Sequence, residues 1–382
     1  RQVGAELFLL DDGWFGNGLY SRDDDKHGLG DWEPSTKKLP RGLSYIAKEA
    51  LKRKVDFGIW LEPEMVNPQS ELYQKHPDWI ITQPKRTPIL GRHQEILDLT
   101  RPEVQAFEWQ VIDKTLRPNP DISYVKWDCN RYITQPGSGY LQPAEQSHLW
   151  IDYNWALYRL MERFSKEFPN VMAMLCAGGS GRVDYGALPY FHSFWPSDNT
   201  DPLGRIKIQW GFSHFFPAST ISAHVTRMGK RHLKLAIDVA LSGAFGIDLA
   251  LDKATAEERV QIADAVKLYK ASIRPLVMQG ELYRLVSPYE HPMASLSYVS
   301  TDKNDAVVYL YQIQDGSVPQ VILGGLDARK NYRVEEVGLP KGSTSRFPGH
   351  GKIFSGAELM STGIANPLNA QFESAILLLK TQ

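Results

Sequence analysis

The chain has 382 residues, with 43 Lys and Arg against 44 Asp and Glu and a formal charge of −1. That length suits one large domain and a smaller companion, and the balanced charge leaves no electrostatic footprint for nucleic acid or an anionic membrane. No apolar run reaches membrane-spanning length, and two cysteines, Cys129 and Cys176, are too few for a disulfide framework or a four-ligand zinc site, so the compartment stays open.

Residues 5–15, AELFLLDDGWF, predict a buried strand that runs into Asp11 and Asp12 and a Gly-Trp turn. Successive side chains of a strand point to opposite faces, so both aspartates reach one pocket only if the backbone turns at Gly13. A charged loop over 16–42 follows. Leu43, Ile46, Ala47, Ala50 and Leu51 then predict a helix over 43–54, and VDFGIWLEPEMV the next strand, ending on Trp60, Glu62 and Glu64 around Pro63. The connection over 67–95, with four prolines, is too long for a passive loop and is expected to build a pocket rim. Thr100-Arg-Pro-Glu103 reads as a capping box that opens a helix through Leu116.

The stretch ISYVKWDCNR, residues 122–131, is a strand by its aromatic and β-branched content, with Ile122, Tyr124, Lys126 and Asp128 on one face. An ammonium group beside Asp128 keeps that carboxylate ionised, as a nucleophile or a stabiliser of positive charge requires. A lone K-x-D is as readily a structural ion pair. Beyond it a helix is expected over 145–168, with Leu149, Trp155, Leu157, Leu160 and Phe164 as its apolar set. The strand VMAMLC leads into AGGSGRVDYG, and FHSFWPSDNTD ends on Asp198 and Asp201. ISAHV (221–225) and FGIDLA (245–250) complete the series, with helices over 229–241 and 256–279.

Strand-like runs alternating with helices, with reactive side chains at their C-terminal ends, predict an α/β fold of the (β/α)8 TIM-barrel type. A doubly wound sheet would instead gather its ligand groups at a single switch point. The opening RQVG reads as the end of a helix, so the barrel is expected to be incomplete at its N-terminus. From residue 285 the runs DAVVYLYQI, PQVILGGL, YRVEEV and ESAILLLK change to period two, which predicts an antiparallel β-sandwich over 285–382 after a catalytic barrel over 1–284.

Two carboxylates in different surroundings at a barrel mouth are what glycoside hydrolysis requires. Asp128 beside Lys126 fits the ionised partner, and Asp198, among aromatics and other acids, the proton donor. Asp11, Asp12, Glu62, Glu64 and Asp201 compete for these roles; Glu62 and Glu64 fit paired supports equally well, and Asp201 a helix cap.

LDDGWFG (10–16), GDWEPSTKKLPRGL (30–43), FGIWLEPEMVNPQSELYQKHPDWI (57–80), LDLTRPEV (97–104), KWDCNR (126–131), CAGGSGRVD (176–184) and WPSDNTD (195–201) resemble, in order and spacing, the motif series of glycoside hydrolase family 36 α-galactosidases. LYRLVSP (282–288) and FSGAELMSTGI (354–364) extend the resemblance into the C-terminal domain. The resemblance implies Asp128 as nucleophile, Asp198 as acid/base, and Asp11, Asp12, Trp60, Arg92, Lys126, Asn130 and Trp195 as sugar contacts. Cys176 and Gly179 would lie in the loop against the sugar 2-position. It further implies hydrolysis of terminal α-galactosides with no cofactor and no metal, and a parent protein that assembles as a homo-oligomer. Because the family carries an N-terminal β-domain and a first barrel strand with a pocket tryptophan, a fragment is expected here.

The sequence departs from the family's pattern at Cys129, where methionine is usual, and at Ala177 and Ser180, which interrupt the glycines of the loop at the 2-position. An α-N-acetylgalactosaminidase, a galactosyl transferase on the same residues, a silent carbohydrate-binding relative and a divalent-metal barrel enzyme are the competing readings. For the retaining mechanism the two carboxyl groups are expected about 5–5.5 Å apart.

Overall fold

The apolar run ahead of Asp11 is strand β1 (Leu7–Leu10), and a computed structural model, which describes residues 2–316 and 318–382, continues the series through β2 (Asp56–Leu61), β3 (Ile122–Trp127), β4 (Met172–Leu175) and β5 (Ser193–Phe194). Each strand pairs in parallel with its predecessor, in one five-stranded sheet. Parallel neighbours need crossovers, supplied for the first three steps by α1 (Gly42–Lys52), α2 (Pro102–Leu116) and α3 (Leu149–Glu167) and for the last by a loop with a short 3-10 turn, Leu188–Tyr190. Phe57, Ile59, Trp60 and Leu61 of β2 are all buried, as a parallel strand covered on both faces demands. Arg1, where the expected RQVG helix end begins, lies outside the described residues; Gln2 and Val3 form a turn.

The described residues pack as two compact units, Ala5–Phe194 and Trp195–Gln382, the second also taking in Gln2–Gly4. In the second unit α4 (Pro202–Phe212) precedes a parallel pair, β6 (Ser222–Val225) and β7 (Ala244–Ile247), which is linked through α5 (Leu233–Ala240). Helix α6 (Ala256–Leu268) passes through a π turn, Tyr269–Ile273, into α7 (Arg274–Gln279). Pro275 lacks an N–H and crowds the preceding turn, so the ladder widens ahead of it.

An antiparallel sheet follows, built from β8 (Glu281–Val286), β9 (Met293–Val299), β10 (Asp305–Gln312), β11 (Asn331–Val337), β12 (Ile353–Ser355) and β13 (Ser374–Thr381), in the order β8-β9-β10-β13-β11-β12. Its buried tyrosines Tyr298, Tyr309 and Tyr311 donate to the carbonyls of Ser242, Leu241 and Asp238 at 2.8, 2.8 and 3.1 Å. These carbonyls lie at the C-terminal end of α5, where backbone acceptors lack intrahelical partners. No helix among the described residues is long and apolar enough to cross a membrane.

Several expected details differ. Thr100 does not cap α2: Arg101, held extended by the proline after it, is the N-cap, and the Thr100 hydroxyl donates to Asp98 instead. Helical spacing placed Trp155 in the apolar set of α3, yet it is 60 % exposed, because Ala156 and Leu157 beside it face the core. The expected helix over 229–241 starts only at Leu233, since Gly229 takes a left-handed φ of 73° and ends the turn before it.

Candidate active site

Asp128 follows directly on β3, and its backbone N–H still bonds the Leu61 carbonyl at 2.7 Å, so the carboxylate leaves a fixed strand end. It is 3 % exposed. Trp60 Nε1 donates to its Oδ2 at 2.9 Å, the Cys129 N–H donates to its Oδ1 at 2.9 Å, and Lys126 Nζ stands 3.9 Å from Oδ2. Burial alone would push this carboxyl up; the Lys126 charge, with hydrogen bonds from Trp60, Cys176 and Cys129, outweighs burial and holds it below the ordinary carboxylate value. The same ammonium bonds Asp11 Oδ2 at 2.9 Å, so one cation serves two carboxylates. Burial pushes the Cys176 thiol up, so it meets Asp128 as a neutral donor.

Gly13, directly after the paired aspartates, takes φ +103°, a backbone turn that suits glycine. The Asp12 N–H closes on Asp11 Oδ1 at 2.9 Å. Asp12 is then gripped by a fork that sequence reasoning missed: Arg22 Nε and NH2 donate to its two oxygens at 3.0 and 2.7 Å. Arg92 is half-exposed in a left-handed turn with His93, and its Nε lies 3.7 Å from Asp25 Oδ2. The Asn130 N–H bonds Glu62 Oε1. Gly179, at φ +101°, accepts the Ala177 N–H at 2.7 Å and so tightens the loop that carries Cys176.

Glu62 and Glu64 lie fully buried behind the nucleophile candidate. Glu64 takes Trp127 Nε1 at 3.0 Å, Tyr153 Oη at 2.7 Å and an ion pair with Arg182, whose NH2 also bonds the Asp128 carbonyl at 3.2 Å. Glu62 has no ion pair of that kind among the described residues: burial, then the Asp128 charge, push its carboxyl up to about 8 against the Asn130 N–H and the charges of Arg22 and Arg92. One of the two acids is therefore ion-paired and the other is pushed toward its neutral form.

In the second unit Asp198 is exposed at the end of the WPSD turn. Trp195 Nε1 donates to its Oδ1 at 2.8 Å. Behind that indole, Arg205 lies 4.9 Å from the ring centroid, is almost wholly buried, and donates NH1 to the Ser197 carbonyl at 2.9 Å. Burial brings its guanidinium down to about 10. Asp201 caps α4 through the Leu203 N–H at 3.4 Å and pairs with Arg231, so it serves the helix. Arg22 and Arg205 carried no sequence signal, because a buried guanidinium and a solvated one read alike.

Residues 1–280 match the Melibiase family model and residues 293–379 match the glycosyl hydrolase family 36 C-terminal domain. The chain is similar to alpha-galactosidase AgaA of Geobacillus stearothermophilus, 40 % identical over 96 % of this chain and 49 % of that protein. It is also similar to alpha-galactosidase 1 of Pediococcus pentosaceus, 36 % identical over 96 % of this chain and 49 % of that protein. Among solved structures, the GH36 alpha-galactosidase AgaB of G. stearothermophilus superposes with a TM-score of 0.91 at 39 % identity, covering 100 % of this chain and 51 % of that one. An AgaA variant in complex with raffinose gives 0.91 at 38 % identity, over 100 % and 52 %. The chain thus spans about half the length of the curated relatives it matches. Its fold class is α/β, of the TIM-barrel type with a C-terminal antiparallel β-domain.

Proposed function

We propose that this chain, which belongs to the melibiase family, glycoside hydrolase family 36, carries the machinery of a retaining exo-α-galactosidase acting on oligosaccharides with a terminal α-linked galactose. The observation that carries the reading is the setting of Asp128: a buried carboxylate kept ionised by Lys126 and oriented by donors on both oxygens. Asp128 attacks the anomeric carbon as Asp198 passes its proton to the departing glycosidic oxygen, and the bond to the aglycone breaks. A water then gives a proton back to Asp198 while its oxygen displaces Asp128, which releases galactose with its configuration retained. Asp11, Asp12, Arg92, Lys126 and Asn130 are assigned to the sugar hydroxyls, Trp60 and Trp195 to its apolar walls, and Cys176 and Gly179 to the 2-position. The proposed domain division is 1–284 and 285–382. Raffinose, held by the AgaA variant, is the class of substrate intended.

Proton NMR of an aryl α-galactoside digested by the full-length protein tests this. The first free sugar is expected as the α-anomer; the β-anomer first would remove the covalent intermediate and with it the role of Asp128.

A further inference from the structure

We infer that Asn67 is a positioning residue that holds Asp12 and Arg92, two of the proposed galactose contacts, in register with one another. The inference rests on the functional reading above, and it comes from a side chain whose entire hydrogen-bonding capacity is spent in one place. Asn67 stands just past WLEPEMV and is fully buried. Its Oδ1 accepts the Leu29 N–H at 2.9 Å and Arg22 NH1 at 3.2 Å, and its Nδ2 donates to the carbonyls of Asp25 at 3.1 Å and His93 at 2.8 Å. An amide offers two acceptor sites and two donors, and all four are used.

The two halves of that amide lead to two different sugar contacts. Through Oδ1, Asn67 joins the carbonyls of Asp24 at 3.0 Å and His27 at 3.3 Å in holding NH1 of Arg22, whose Nε and NH2 fork onto Asp12 at 3.0 and 2.7 Å. Through Nδ2, it fixes the turn at Arg92 and His93, which take φ values of 51° and 61°. Two consecutive left-handed residues bearing a Cβ are unfavourable and persist only where their surroundings hold them. Asp25 closes the circuit, with Oδ1 3.6 Å from Arg22 NH2 and Oδ2 3.7 Å from Arg92 Nε. That carboxylate is half-exposed, so water weakens its grip, whereas the bonds of Asn67 are shielded. Asn67 is thus the buried link between the segment that orients Asp12 and the turn that presents Arg92.

Steady-state kinetics of the full-length protein on an aryl α-galactoside tests the inference, using Asn67→Ala, Asn67→Asp, Asp12→Ala, Arg92→Ala and the corresponding doubles, with thermal melts alongside. Asn67→Ala is expected to raise KM about ten- to hundredfold with a smaller change in kcat, as loss of ground-state sugar contacts does. Its cost is expected to shrink in either the Asp12→Ala or the Arg92→Ala background, because sites that act together are not additive. Asn67→Asp keeps an acceptor toward Arg22, with a charge added, and loses both Nδ2 donors, so it is expected to couple more strongly to Arg92→Ala than to Asp12→Ala. Should Asn67→Ala fail to fold, the Asn67→Asp cycles decide alone. Additive effects in an active protein, or a lowered melting temperature with unchanged KM, would overturn the positioning role and leave the functional reading standing. An unsubstituted protein without α-galactosidase activity would overturn both.

Discussion

Asp128 and Asp198, the two carboxylates assigned to the chemistry, have opposite surroundings, each within its own unit. Asp128 is sealed in, with a donor on each oxygen and an ammonium nearby, whereas Asp198 is exposed and takes one indole donor at 2.8 Å. The difference follows the division of labour proposed for them. A nucleophile gains from being desolvated, ionised and aimed before the substrate arrives. A group that gives a proton in one step and takes one in the next must exchange with water.

The sharpest way to break this comparison is to neutralise each carboxylate and vary the leaving group. Asp128→Asn is expected to lower kcat/KM on the order of 10⁴-fold or more for raffinose and for a nitrophenyl α-galactoside alike, since no leaving group replaces a missing nucleophile. Asp198→Asn is expected to cost about 10²–10⁴-fold on raffinose and far less on the nitrophenyl substrate, whose phenolate departs without a proton. Equal losses of Asp198→Asn on both substrates would end its assignment as the acid.

A subtler test concerns what keeps Asp128 ionised. Burial raises its carboxyl, and the Lys126 charge is the largest influence opposing it. Activity needs the ionised form, so the acidic limb of the kcat/KM profile marks its protonation. In Lys126→Met burial meets less opposition, the carboxyl rises, and that limb is expected to move to higher pH. A limb that stays in place would shift the credit to the bonds from Trp60, Cys176 and Cys129.

What was legible in the sequence is what depends on near neighbours along the chain. Alternation set Lys126 beside Asp128, Gly13 marked the turn after Asp11 and Asp12, and strand-end polarity announced the α/β series. What was not legible depends on partners far away in sequence. Glu62 and Glu64 are both buried acids two residues apart, and only the fold brings Arg182 into an ion pair with one and leaves the other, among the described residues, without an ion-pair partner. Arg22 sits in a loop so charged that a buried fork is indistinguishable from a solvated side chain, and Asn67 reads as a turn residue until its four partners are seen. Trp155 fails for the converse reason: helical spacing marks a stripe, and only packing decides how wide the buried stripe is.

The smallest expected effect on turnover bears on whether Glu62 adds its own negative charge to the buried setting of Asp128. Glu62 keeps its proton in the folded protein up to about 8 and would release it near its ordinary 4.5 when unfolded. Between those values the folded state binds the extra proton, so stability falls as pH rises; below 4.5 the group contributes nothing, and above 8 its full penalty is present. Gln94 Nε2 donates to Glu62 Oε2 at 3.2 Å. Glu62→Gln supplies a permanent donor in the same place. It is expected to leave kcat near pH 6.5 almost unchanged and to flatten the decline in stability between pH 5 and 8, by about 2–4 kcal/mol at the alkaline end. Denaturant melts across that range decide it: parallel curves for the two proteins would mean that Glu62 is already ionised, and that Asp128 shares its buried setting with a second negative charge.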